Sequence, residues 1–240
     1  MNTDSLIKLW KTVFGDSDAF LDSFFRIAFS PDRCNYLEEN GEAICALYWF
    51  DCRFQGGKLA YIYAVATHPE HRGKGLASRL MAETHGHLQR LGYAGTVLKP
   101  AQGLFPFYER LGYATSGYIR RFTAVAATIP AQLNALSVDG YAAARRRYLP
   151  ENGILQEGET LRYLHAFARF YEGENALVCV GQDEPVIFDY LGDPAAAPGI
   201  LAALGIPEAT IPTPGKEIPY AMYHPLNCTK TPGYLGITLE

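Results

Sequence analysis

The stretch that most constrains this chain covers residues 61–80 and reads YIYAVATHPEHRGKGLASRL. In its first seven residues, β-branched and aromatic side chains alternate with small ones, a pattern typical of a buried strand. Pro69 ends that strand, because its nitrogen cannot donate to a sheet. Gly73 and Gly75 follow, and apolar residues recur at helical spacing from Leu76 onward. The stretch therefore predicts a strand, a glycine-rich turn and a helix.

A glycine-rich turn that opens a helix is suited to binding phosphate. Glycine lets the backbone turn tightly and approach a ligand closely, and the first N–H groups of a helix have no partner within it. The helix dipole adds positive charge at the same end, so an anion can bind there without a metal. Arg72 and Lys74 add two positive charges. The G-x-G-x-x-G and G-x-x-x-x-G-K-[ST] motifs are absent, which argues against a dinucleotide enzyme or a nucleoside-triphosphate loop.

Two motifs carry a resemblance to a known family. The run R-x-x-G-x-A at residues 72–77 resembles the pyrophosphate-binding motif R/Q-x-x-G-x-G/A of the GCN5-related N-acetyltransferases, the GNAT superfamily. Residues 104–113, LFPFYERLGY, resemble its second feature, a short helix ending in F-Y-x-x-x-G-[FY]. The resemblance spans residues 6 to about 118. One departure is Ala101, because family members often carry a cofactor-contacting Asn at that place.

The resemblance implies a fold, a cosubstrate and a reaction. The fold is α/β (α+β), with a central mixed, mostly antiparallel sheet flanked by helices. The cosubstrate is acetyl-CoA, no metal is required, and an acetyl group passes directly to a primary amine. The residues that the resemblance assigns to acetyl-CoA are Val65, Ala66, Thr67, Arg72, Gly73, Lys74, Gly75, Leu76 and Ala77.

Catalysis needs a proton donor for the leaving thiolate and a base for the amine. Tyr108 lies in the second motif, and a phenol with a pKa of about 10 is protonated at neutral pH, so we predict that it is the general acid. The alternative is an ordinary core tyrosine. No base is identified, because His85 and His87 are expected on a solvated helix face. Some tandem members of the family use the carboxylate of the chain terminus as the base, and the resemblance therefore makes the terminal carboxylate of Glu240 a candidate.

The second half of the chain echoes the first without repeating the phosphate motif. Pro130 marks the predicted boundary, which gives an acetyl-CoA-binding domain over residues 1–129 and a smaller domain over 130–240. This half resembles the degenerate second domain of tandem GNAT proteins, so one acetyl-CoA site per chain is expected. We predict a helical stretch over 131–149 that is broken near residues 139 and 140, a helix over 160–171 and a strand over 234–239. The arginine run 145–147 is expected on a solvated helix face, with a contact to the cofactor's 3′-phosphate as the alternative.

The charge, hydropathy and cysteine content of the chain argue against several classes of partner. A net charge of −4 argues against a general nucleic-acid binder, and no apolar run approaches the roughly 20 residues that a membrane helix needs. The five cysteines contain no C-x-x-C pair, so a zinc site is not expected, and the amino terminus lacks a signal-peptide layout. We therefore expect a cytoplasmic protein with a small-molecule or peptide amine as acceptor, and a homodimer is compatible with the family.

A second function from another class stays open at this point. A non-catalytic acyl-CoA binding or sensing protein would keep the phosphate turn and would release no CoA with any amine. The presence of Tyr108 beside the complete turn favours the enzyme. The identity of the amine does not follow from the residues, because one scaffold serves many acceptors.

Overall fold

The computed structural model describes residues 2–228 and 230–239. The helices in this part of the chain are α1 (Thr3–Phe14), α2 (Asp18–Ile27), α3 (Leu76–Arg90), α4 (Phe105–Glu109), α5 (Val138–Tyr148), α6 (Glu159–Leu164) and α7 (Ala197–Leu204). The strands are β1 (Cys34–Glu39), β2 (Glu42–Phe54), β3 (Gly57–Thr67), β4 (Gly95–Leu98), β5 (Ala114–Val125), β6 (Asn134–Leu136), β7 (Leu155–Gln156), β8 (Ala168–Gly173), β9 (Ala176–Gly181), β10 (Ile187–Gly192), β11 (Glu208–Pro214) and β12 (Ile218–Pro225). Among the residues so described, no helix combines the length and the apolar character needed to cross a membrane.

The chain folds into two compact units. The first comprises Met1–Cys52, Gly56–Ala114 and Met222–Lys230, and the second comprises Arg53–Gln55, Thr115–Ala221 and Thr231–Glu240. Each unit therefore contains segments that are far apart in the sequence. The domain division at residues 129 and 130 stays a prediction.

The sheet of the first unit is mixed and mostly antiparallel. β1 and β2 form an antiparallel pair around the tight turn at Asn40 and Gly41. β3 and β4 are parallel, and the last four residues of β12 pair antiparallel with β4. A parallel pair needs a crossover, which α3 supplies between β3 and β4. The fold class expected from the sequence is confirmed.

Helices cover both faces of this sheet, because successive side chains of a strand point to opposite faces. On one face, Trp49 lies in the same buried cluster as Leu80 and Leu88 of α3. On the other face, the ring of Tyr48 lies 5.2 Å from Trp10 of α1 and 5.2 Å from Phe24 of α2. Trp10 of α1 and Phe24 of α2 therefore belong to the core of this unit.

The second unit contains a four-stranded antiparallel sheet in the order β10-β9-β8-β6, and β5 pairs antiparallel with β11. Two expectations were wrong here. The predicted helix over 160–171 ends at Leu164, and β8 begins at Ala168. The helical stretch predicted over 131–149 begins only at Val138, because residues 134–136 pair with β8 as β6, and α5 has no break at residues 139 and 140.

The segment 234–239 forms no regular strand, so that prediction was also wrong. It is nevertheless buried throughout. The Ile154 N–H donates to the Tyr234 carbonyl at 2.8 Å, and the Gln156 side chain donates to the Ile237 carbonyl at 2.7 Å. These two hydrogen bonds, one from a backbone N–H and one from a side chain, pair carbonyl groups of this segment that were expected to pair in a sheet.

A buried ion pair lies at the centre of the second unit. Arg145 of α5 and Asp189 of β10 are both fully buried and form a salt bridge. Asp189 also accepts from the hydroxyls of Tyr141, at 3.1 Å, and Tyr234, at 2.5 Å. Burial is the largest single influence on the pKa of Arg145 and lowers it, but Asp189, Tyr141 and Tyr234 together outweigh burial and raise that pKa. The expectation of a solvated face was therefore wrong for Arg145, whereas Arg147 forms an exposed pair with Glu172.

Candidate active site

β3 separates from β4 before it reaches the glycine-rich turn. The parallel pairing covers only Leu59 to Tyr61, although β3 continues to Thr67. Ala64 has a φ of 49°, which is a left-handed conformation that residues other than glycine rarely adopt. On its other side β3 remains attached to β2, since the His68 N–H donates to the Ile44 carbonyl at 2.9 Å. The last six residues of β3 thus extend beyond the ladder with β4.

The turn after β3 gives its glycines a conformation that other residues would adopt only under strain. Pro69–His71 form a short 3-10 turn, and Gly73 and Gly75 then have φ values of 75° and 74°. Apart from the glycine itself and the residues adjacent to it in the chain, no described residue has an atom within 4 Å of the position that a β-carbon would take at Gly73 or Gly75. The two glycines are therefore required for backbone conformation, and the space beside them is open to a ligand.

The amino terminus of α3 is available to an anion. Gly75 is the N-cap residue, and no described side chain caps the helix. Arg72, Gly73, Lys74 and Gly75 are exposed. The N–H groups of the first turn of α3 therefore face solvent together with two cationic side chains, which is the arrangement that binds phosphate groups.

The remaining residues predicted to contact acetyl-CoA lie around this turn. Val65, Leu76 and Ala77 are partly buried and pack against the core cluster that contains Tyr108. Ala66 is buried. The Thr67 carbonyl accepts a hydrogen bond from the Arg72 Nε–H at 3.3 Å, so Arg72 also ties the start of the turn to the end of the strand. The contacts of these residues with acetyl-CoA stay predictions.

Tyr108 lies on α4, which follows β4. Its side chain is 7% exposed, and its ring centroid lies 5.7 Å from that of Tyr113 in an edge-on arrangement. The carbonyl of Tyr108 accepts from the N–H groups of Leu111, at 2.9 Å, and Tyr113, at 3.1 Å. The structure thus brings Tyr108 to the same cluster as Val65, Leu76 and Ala77, and its role as general acid stays a prediction.

Tyr113, which contacts Tyr108, belongs to a polar cluster with Thr96, His85 and His224 that was not predicted from the sequence. The Tyr113 hydroxyl lies 2.6 Å from Thr96 Oγ1 and 2.9 Å from His85 Nε2. The His85 ring stacks on that of His224, with centroids 4.2 Å apart and planes inclined by 9°. His224 Nδ1–H donates to the Gly112 carbonyl at 3.0 Å, because a carbonyl oxygen can only accept. The expectation that His85 lies on a solvated face was wrong.

Burial and the neighbouring His224 lower the pKa of His85 from its ordinary value of 6.5 to about 4. His85 is therefore neutral at pH 7 in the folded protein. Burial raises the pKa of Tyr113, whose hydroxyl stays protonated. His85 and Tyr113 are 28 residues apart in the sequence, and His224 follows more than 100 residues later. Only the tertiary structure brings these three side chains together.

We expect acid to destabilise the fold through His85. Between about pH 6.5 and 4 the unfolded chain binds a proton at this residue that the folded protein does not bind. The stabilisation is therefore complete above pH 6.5 and is lost as the pH falls towards 4, by about 3 kcal/mol in total. Urea unfolding at pH 7 and pH 4.5 measures the loss, and His85→Gln should reduce it.

His87→Gln is the matched control for this prediction, because His87 lies on the same helix two residues later. It should leave the pH dependence of the unfolding free energy as in the unsubstituted protein. An equal slope for the His85→Gln variant and the unsubstituted protein would contradict the prediction.

Metal-ligating side chains form no cluster in the described part of the chain. There, no group of three or more His, Cys, Asp or Glu side chains is arranged to hold a metal ion. All five cysteines are free thiols, and Cys45, Cys52 and Cys179 are buried. Glu240, a candidate base through its terminal carboxylate, lies outside the described residues.

Comparison with known proteins decides the family. Residues 2–116 match the family model described as the acetyltransferase (GNAT) domain. This part of the chain belongs to the GNAT superfamily. The resemblance drawn from the two motifs is thereby confirmed. A search of curated proteins found no match.

Solved structures share the fold over nearly the whole chain, beyond the GNAT domain itself. A GCN5-related N-acetyltransferase from Kribbella flavida has a TM-score of 0.72 at 17% identity, covering 94% of this chain and 69% of its own. One from Anabaena variabilis has a TM-score of 0.71 at 15% identity, with 94% and 71% covered. Eis1 from Mycobacterium abscessus has a TM-score of 0.66 at 13% identity, with 93% and 71% covered. At these identities the likeness concerns the fold.

Proposed function

We propose that this protein is an acetyl-CoA-dependent N-acetyltransferase that moves an acetyl group directly to a primary amine. The observation that carries the proposal is the course of β3. It leaves the ladder with β4 after Tyr61 and runs into a turn whose Gly73 and Gly75 open an uncapped helix. An extended thioester arm can pair with the free strand edge while its diphosphate occupies the helix terminus.

Each group of residues has one task in the proposed reaction. The amides at the start of α3, with Arg72 and Lys74, bind the diphosphate. Backbone N–H groups of residues 65–67 stabilise the negative charge that develops on the thioester oxygen, and they need no reorganisation to do so. The amine nitrogen forms the new C–N bond as the C–S bond breaks. The departing sulfur takes the proton of Tyr108, the amine proton passes to solvent, and the phenolate of Tyr108 regains a proton from solvent.

The test of Tyr108 is its replacement by phenylalanine, which removes the hydroxyl and keeps the ring. We expect Tyr108→Phe to lower kcat at least about ten-fold, since a positioned general acid contributes at least that much. Acetyl-CoA binding, measured by calorimetry, should change little because the ring remains packed. Tyr118→Phe, at a tyrosine that is 36% exposed, is the control and should leave kcat unchanged. Equal turnover in both variants would remove Tyr108 from the mechanism.

For the acceptor we propose only a chemical class, a cationic amine. The acidic balance of the chain suits a cationic amine, such as a polyamine, an aminoglycoside or a lysine side chain. Purified protein, acetyl-CoA and a panel of amines in a thiol-release assay would identify it. Release of CoA with one of them supports the enzyme, whereas tight binding of acetyl-CoA without release from any amine would make the protein a sensor.

The remaining parts of the proposal concern the second half of the chain, the number of acetyl-CoA sites, the location of the protein and its pairing. We propose that residues 130–240 form a degenerate GNAT-like domain and that each chain has one acetyl-CoA site. A single copy of the R-x-x-G-x-A motif supports this. Location in the cytoplasm and pairing into a homodimer are further parts of the proposal, and the five free thiols are in keeping with a reducing compartment.

A further inference from the structure

The turn after α4 is held in place by groups that contact no proposed substrate position. Gly112 has a φ of 84°, and a β-carbon there would lie 3.0 Å from His224 Nδ1. His224 therefore occupies the space that a side chain at residue 112 would need. Its Nδ1–H reaches the carbonyl of the same glycine at 3.0 Å. The glycine of the F-Y-x-x-x-G-[FY] motif thus allows both the turn and the approach of a histidine from β12.

The next residue, Tyr113, is held at its other end. Its hydroxyl lies between Thr96 and His85, and one arrangement satisfies all three groups: Thr96 donates to Tyr113, and Tyr113 donates to neutral His85 Nε2. The stacked ring of His224 fixes His85 in turn. The two histidines therefore hold consecutive residues of one turn, His224 through a backbone carbonyl and His85 through a side chain.

This turn determines where Tyr108 lies. The N–H of Tyr113 donates to the carbonyl of Tyr108 at 3.1 Å, and the two rings contact each other edge-on. α4 has only five residues, too few for a helix to be stable by itself. Its order therefore depends on contacts with the rest of the unit, which include the packing of Phe105 and Phe107 against the core and the hydrogen bonds at its carboxyl end.

We propose that His85 and His224 are positioning residues for the acetyl transfer, acting through Tyr113 and Gly112 on the hydroxyl of Tyr108. The inference rests on the proposed function, in which Tyr108 is the general acid. Neither histidine touches the reacting atoms. Their loss displaces the proton donor, so it lowers kcat and leaves the binding of acetyl-CoA, at the far end of α3, nearly as it was.

Conservative and disruptive variants separate positioning from general instability. His224→Asn keeps an N–H group near the position of Nδ1, whereas His224→Leu removes it. We expect His224→Leu to lower kcat about ten-fold with less than a two-fold change in KM for acetyl-CoA, and His224→Asn to restore most of the loss. His85→Gln, which keeps an acceptor for Tyr113, should likewise retain more activity than His85→Leu. His87→Leu, on the same helix, is the control and should leave kcat unchanged.

The decisive experiment combines a double-mutant cycle with amide hydrogen exchange. If His224 acts through Tyr108, His224→Leu should lower kcat much less in the Tyr108→Phe background than in the unsubstituted protein. Exchange of the amides of residues 108–113 should accelerate in His224→Leu, while exchange in the first turn of α3 stays as before. Additive effects of the two substitutions on kcat, or unchanged exchange over residues 108–113, would overturn this inference. If the unsubstituted protein still transfers acetyl groups, the proposed function would stand. Absence of CoA release by the unsubstituted protein with every amine would overturn the proposed function and this inference together.

Discussion

Replacing Gly75 with glutamate is expected to weaken the binding of CoA at least about 100-fold, or about 2.7 kcal/mol. Gly75 has a φ of 74°, which costs an L-residue about 1–2 kcal/mol. The larger effect is electrostatic, because the carboxylate would lie at the helix terminus where we propose that the diphosphate binds. A negative charge at the amino end of a helix stabilises that helix. The variant should therefore keep its fold and lose its ligand, which titration calorimetry with CoA measures.

Two variants isolate the charge from the backbone strain. Gly75→Ala carries the strain alone, in both the free and the bound protein, so its affinity for CoA should fall less than about ten-fold. Gly92→Glu carries the same charge and a similar φ of 78° at the opposite end of α3, and should bind CoA as the unsubstituted protein does. If Gly75→Glu bound CoA as well as Gly92→Glu, the assignment of the diphosphate to this helix terminus would be wrong.

Replacing Asp189 with asparagine is expected to destabilise the protein by about 3–5 kcal/mol. Asparagine keeps the shape of the side chain but removes the charge that compensates Arg145 inside the second unit. Nε and Nη2 of Arg145 have no hydrogen-bond partner within the described residues, so Asp189 carries that compensation. An uncompensated guanidinium in a buried site is costly. Urea unfolding followed by circular dichroism measures the loss.

An exposed pair in the same unit is the control. Arg147 and Glu172 are 2.8 Å apart, with side chains that are 59% and 27% exposed. Glu172→Gln should cost less than about 1 kcal/mol, since exposed pairs contribute little. Replacing Arg145 and Asp189 together with Met and Leu should recover much of the stability lost in Asp189→Asn. Equal losses for Asp189→Asn and Glu172→Gln would show that burial does not set the strength of the ion pair.

The first unit could be predicted well because its signals are local. The strand, the turn and the helix over residues 61–80 occur as expected, since alternation, proline, glycine and helical spacing all act over a few residues. The same is true of α4 and its tyrosine. The second half was predicted less well. There, a helix was predicted over residues 160–171, and pairing with β6 and β9 makes residues 168–173 a strand.

Charged and titratable side chains were the hardest to interpret from the sequence. Three arginines in a row predict a solvated face, and the structure buries the first against a carboxylate 44 residues away. Two histidines on one helix look alike in the sequence, yet one of them stacks on a histidine from β12. Burial and partners of such groups depend on contacts between distant segments, and no local pattern encodes them.

The order of residues by itself predicted the GNAT resemblance, the fold class and the place of the glycine-rich turn. It could do so because conformational preference and helix-terminal charge are properties of short stretches. Tertiary structure alone decided that His85 and His224 hold the turn beside Tyr108 and that Arg145 lies buried with Asp189. The physical reason is that hydrogen bonding, stacking and desolvation act between atoms that are close in space, whatever their separation along the chain.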